Sequence, residues 1–250
     1  INEFDAGFDN TTGFFKNSVG SLMQSPFKFT PQGECGKMVP EIFPHLGKHV
    51  DRMAFIRSGH TESNNHSPAL FAMNCGIPRM GFPCVGSWVT YGLGSESDNL
   101  PGFVVMSDPK GRGLPKGHAA NWSAGFLPGT YQGTYLKPQG QAIDNLIRPS
   151  SMTDSSQRRQ LDLLKRLNSL HREQRSAENE LAKQCLVARR MVERGVRFVQ
   201  IYSGGMENQR SWDGHSDIDG NHRQFAGETD QPVAGLLADL AQRDLLKDTL

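Results

Sequence analysis

VRFVQIYSGGMENQRSWDGHSDIDGNH, residues 196–222, decides how this chain is read. Residues 196–202 form an apolar, β-branched run, which predicts a strand. Ser203, Gly204 and Gly205 then break it, and a polar loop delivers Asp213, His215, Asp217, Asp219 and His222. Carboxylates and imidazoles gathered just past a strand's carboxyl end point to a metal site in an α/β fold. Asp213 and His215 stand two apart, so in an extended segment both point toward one cation, and His222 can return from the loop to join them. The plainer reading is a polar loop whose acids cap turns. An EF-hand beginning at His215 fails, because its first position needs a carboxylate and its twelfth, Ala226, needs Glu.

Working outward, residues 178–194 carry helical periodicity through Leu181, Cys185, Ala188 and Val192, and Gly195 ends that helix ahead of the strand. Residues 230–245 predict an amphipathic helix with Val233, Leu236, Leu237 and Leu240 inward and Thr229 as its cap. Residues 155–175 predict another helix. Its basic residues read as a solvated face, because Asp162 and Glu173 interrupt them and no aromatics interleave.

The first half repeats the pattern. Met38, Ile42, Leu46 and Val50 recur four apart and predict a helix, with Pro44 as a break. Residues 53–57 predict a short buried strand. It runs into a second polar loop, residues 60–67, followed by a helix with Ser67 as N-cap and Pro68 in its first turn. That helix start, with His60, Thr61, Asn64, Asn65 and His66 nearby, suits an oxyanion such as phosphate or sulfate. Residues 87–93 predict a helix and residues 103–106 a strand. Residues 108–150, rich in Gly and Pro, read as an irregular insertion whose aromatics Trp122, Phe126, Tyr131 and Tyr135 cover the site. This order implies a mostly parallel sheet with helices on both faces.

Lys and Arg total 27 against 26 Asp and Glu, so no global field favours nucleic acid or an acidic membrane. No apolar run reaches the roughly 20 residues of a membrane span. The four cysteines are scattered with no CxxC pair, which argues against a zinc ribbon. The chain starts without Met or a leader and stops after a helical pattern, so it reads as an internal fragment, one incomplete domain over residues 1–250.

Residues 53–58 (MAFIRS), 64–69 (NNHSPA), 86–94 (GSWVTYGLG), 100–105 (LPGFVV), 192–199 (VERGVRFV), 212–215 (WDGH) and 230–240 (DQPVAGLLADL) together resemble a bacterial family known as domain of unknown function 1501. The resemblance covers nearly the whole chain in order. It implies membership of the alkaline phosphatase superfamily, a sulfatase-like three-layer α/β/α sandwich, a divalent metal (Zn²⁺, Ca²⁺ or Mn²⁺) and export to the periplasm or beyond. The implied activity is hydrolysis of a small phosphate or sulfate ester. Asp213, His215, His222 and Asp5 would hold metal; His60, Asn64 and Asn65 would bind substrate; Ser67, Thr61 or His66 would act on it. One departure stands out. Sulfatases carry Cys/Ser-x-Pro-x-Arg, whereas this chain has His66-Ser-Pro-Ala-Leu70. A formylglycine mechanism is therefore not expected, and Ser67, Thr61 or a metal-bound water is left as nucleophile. The alternative is a binding or scaffold member that has lost the nucleophile.

Overall fold

Phe103–Met106 (β3) is buried along its whole length, and the rest of the sheet is laid against it. The computed structural model describes residues 23–57, 59–63, 65–138, 142, 179–205, 211–214 and 217–249. Ahead of β3 come Phe29–Gln32 (β1), Lys37–Pro40 (β2), His66–Cys75 (α1) and Val85–Leu93 (α2). After it come Thr134–Leu136 (β4), Glu180–Val192 (α3), Phe198–Ile201 (β5) and Ile218–Gln242 (α4). β4 and β5 flank β3, both parallel to it, while β1 and β2 form a separate antiparallel hairpin. The protein is thus mixed α/β, with a three-stranded parallel sheet and helices.

A continuous apolar run suits a strand covered on both faces. Phe103 and Val105 join Cys84 and Trp122 in the core, and a side chain on Gly86 of α2 would collide with the Phe103 ring. Val104 and Met106 point to the opposite face and are equally buried. The stretch expected to be irregular contributes β4, and its Tyr135 stacks on Trp122 at 5.7 Å within the core. Phe126 and Tyr131 lie instead against Trp88 and Tyr91 of α2.

Several expectations are corrected. Residues 38–50 are not one α-helix: they form β2, a turn and the 3₁₀ helix Leu46–Arg52. Met38 and Val39 alternate outward and inward in the hairpin, and the carboxylate of Asp230 accepts from the N–H groups of His45 and Leu46 at 2.8 and 2.6 Å, which sets where the 3₁₀ turn starts. Residues 53–57 make no strand among the described residues, and Ile56 is 91 % exposed. β-Propensity without a neighbouring edge to pair with gives no ladder. α1 is capped by Asn65, whose Oδ1 accepts from the Ser67 N–H at 3.1 Å, so Ser67 lies inside the helix. The predicted helix of residues 155–175 lies outside the described residues. All four cysteines are free thiols. No helix among the described residues is long and apolar enough to cross a membrane.

α4 starts twelve residues before its predicted beginning and carries Pro232 within it. Its cap is Asp217, which accepts from the Gly220 N–H at 2.9 Å, and Thr229 turns its hydroxyl onto the Phe225 carbonyl. A proline in a helix lacks the N–H that the carbonyl four residues earlier would accept from. That carbonyl belongs to Glu228, and Asn179 Nδ2 donates to it at 2.9 Å. The same Asn179 caps α3 through Oδ1, accepting from the Leu181 N–H at 3.0 Å. One side chain therefore starts one helix and repairs another. Asn179→Ala is expected to cost about 2 kcal/mol in urea unfolding, about half for the cap and half for the stranded carbonyl. Asn179→Asp keeps the acceptor and loses the donor, so it should recover the capping share only. Equal losses in the two variants would contradict the double role.

Candidate functional site

The two polar loops meet. His66, the first residue of α1, places Nε2 2.7 Å from Oδ2 of Asp213, across 147 positions of sequence. The side chains are 48 % and 32 % exposed, so the pair sits at a surface that a small molecule can reach. With Nε2–H donating to the carboxylate, the neutral form of the ring carries its lone pair on Nδ1, which is the arrangement of an oriented base.

Each partner is held from behind. Asn65 takes the Ser67 N–H, Pro68 has none, and the Ala69 N–H closes the first turn on Asn65 O. The helix start therefore keeps little beyond the His66 N–H for an oxyanion. Asp213 follows Trp212, whose ring packs on Phe43, His222 and Phe225 at 6.3, 6.0 and 5.5 Å. Asn221 Nδ2 donates to Ser211 O and His222 Nε2 to Trp212 O, both at 2.8 Å.

The other proposed residues sit as follows. His222 spends Nε2 on a backbone carbonyl. His60 and Thr61 are exposed, and among the described residues neither the Thr61 nor the Ser67 hydroxyl bonds the His66 ring. His215, Asp5 and Asn64 lie outside the described residues. Asp219 pairs with Arg223 at 3.0 Å. Among the described residues no three His, Cys, Asp or Glu side chains come together as a metal-binding group.

A second charged cluster at the same end of the sheet was missed. Asp108, two residues past β3, is fully buried. It accepts from Arg112 Nε and Nη2 at 3.0 and 2.6 Å and from the Gly204 N–H, just past β5, at 2.7 Å. Arg112 also reaches Glu228 Oε2 at 2.7 Å, Lys110 reaches Glu228 Oε1 at 2.7 Å, and the guanidinium lies 4.4 Å over the Phe225 ring. A side chain on Gly205 would overlap the Arg112 carbonyl. The available signal was the one used for Asp213, a carboxylate just beyond a strand, but Asp108-Pro109-Lys110-Gly111 reads as a turn.

Burial pushes the Asp108 carboxyl up, yet the Arg112 guanidinium and the Gly204 N–H outweigh it and hold the group below its ordinary value. Glu228 behaves alike: burial raises it, while Lys110 and Arg112 bring it lower overall. A carboxyl depressed in the folded protein contributes stability that is complete above the ordinary carboxylate range and lost as pH falls through the folded value. The urea midpoint should therefore fall below about pH 4. Asp108→Asn should lower it near neutral pH and flatten its pH dependence; parallel pH curves for the variant and its parent would contradict this.

The chain belongs to the family described as Protein of unknown function (DUF1501), whose model matches residues 6–183 and 172–250. No curated protein and no solved structure matches it.

Proposed function

We propose that this family member hydrolyses phosphate or sulfate esters, with His66 as general base oriented by Asp213, on the sulfatase-like, alkaline phosphatase-type α/β/α scaffold that the family resemblance implies. The observation that carries the reading is the 2.7 Å contact between His66 and Asp213. An imidazole anchored through one nitrogen by a carboxylate is held in one tautomer and one orientation, with the other nitrogen left to take a proton. His66 Nδ1 would accept a proton from water as that water attacks phosphorus or sulfur, and Asp213 would stabilise the imidazolium that forms. As the P–O or S–O ester bond breaks, the departing alcohol oxygen would take that proton back. The His66 N–H, at the positive end of α1, faces the charge that builds on the ester oxygens.

The resemblance implies a divalent cation, Zn²⁺, Ca²⁺ or Mn²⁺. Imidazole nitrogen and carboxylate oxygen are suitable donor types, but the described residues bring only His66 and Asp213 together, and a hydrogen bond already joins them. A catalytic zinc uses three protein ligands. The described set does not fit that ion, and no step is routed through one.

A second reading has its own support. No described hydroxyl bonds the His66 ring, and Leu70 replaces the sulfatase-pattern arginine, as expected of a binding protein that kept the fold. One assay separates the two. Turnover of an aryl phosphate or aryl sulfate by the purified protein, with and without added Zn²⁺, Ca²⁺ or Mn²⁺, should fall about 100-fold to 10,000-fold in His66→Ala and Asp213→Ala. Unchanged turnover in Asp213→Ala would overturn the hydrolase. Tight binding of inorganic phosphate or metal without turnover in the parent would establish the binding protein.

A further inference from the structure

The loop that carries Asp213 is gripped at both ends by groups that do not themselves reach His66. At its start the buried Asp108 carboxylate accepts from the Gly204 N–H at 2.7 Å. At its end Asn221 and His222, in the first turns of α4, hold the carbonyls of Ser211 and Trp212. Trp212 immediately precedes Asp213, so the His222 bond acts one residue from the carboxylate. The His222 ring is itself wedged, with Phe27 edge-on at 6.1 Å and Trp212 tilted at 6.0 Å. A side chain on Gly214 would press on Asn221 and Ile218, so the loop lies close against α4 on the far side of Asp213 as well.

A carbonyl oxygen accepts, so Nε2 of His222 must carry the proton in this arrangement. That nitrogen then has no lone pair for a metal and is already committed as a donor. We propose that His222 is a positioning residue: through the Trp212 carbonyl it sets the Asp213 carboxylate against His66. This rests on the reading of His66 and Asp213 as the working pair. The clamp is also rigid at its root, because α4 is fixed by Asn179 on Glu228 and by Asp230 on the turn at residues 45–46.

The test compares His222→Ala and His222→Gln in the purified protein, with both kinetics and hydrogen exchange. Glutamine offers an amide N–H to the same carbonyl but is a poor metal ligand. Displacing a catalytic group by about 1 Å can cost about 100-fold, so His222→Ala should lower kcat about 10-fold to 100-fold with KM within about twofold, and His222→Gln should restore most of it. Amide exchange over residues 211–214 should quicken about fivefold in His222→Ala and return to the parent rate in His222→Gln. Parent-like kcat or exchange in His222→Ala overturns the proposal, as does a His222→Gln variant as impaired as His222→Ala with bound metal lost. If the parent turns over no ester, the hydrolase reading fails, and the exchange measurement alone decides the clamp.

Discussion

A carboxylate with no exposed surface dictates much of this architecture. Asp108 sits at the end of the central strand, and burying its charge would be prohibitive without matching donors. Arg112 supplies two of them and Gly204 a third, which ties the end of β3 to the end of β5. Arg112 then leans on Glu228 and over Phe225, carrying the constraint into α4. Breaking such a set by removing one member leaves an uncompensated buried charge, so the elements it joins hold their places together. The loop that carries Asp213 springs from this framework.

How much of this could be read from the chain depends on whether local pattern or distant contact decides. Residues 103–106 read correctly as a strand because four successive apolar side chains need cover on both faces, and the sheet provides it. Residues 53–57 look just as strand-like, yet among the described residues no strand edge pairs with them, and Ile56 faces solvent. The start of α4 was hidden because residues 213–222 read as a polar loop and Thr229 reads as the cap of a helix over residues 230–245. What allows the helix to pass through Pro232 is Asn179, 49 residues from Glu228, whose amide donates to the carbonyl that proline leaves unpaired. No local window contains that partner.

The candidate site shows the same division. His66 and Asp213 could each be named from composition near a helix start and past a strand, but only the folded chain joins them. His222 was legible as a histidine near a ligand-rich loop, and its actual bond, to the carbonyl just before Asp213, was not. Asp108 stood in the open, disguised by a turn-like neighbourhood. The resulting picture is an exposed imidazole–carboxylate pair whose Asp213 loop starts from a buried carboxylate bonded to Arg112. That suits a reactive group which must meet substrate yet be held still.

The central claim is that His66 and Asp213 work as one unit. A double-mutant cycle tests it most directly: kcat/KM for aryl ester hydrolysis in His66→Ala, Asp213→Ala and the double variant. If the carboxylate acts only through the imidazole, the double variant is no slower than His66→Ala alone. If the two losses multiply, the residues act independently, and the pairing at 2.7 Å is not what drives the chemistry.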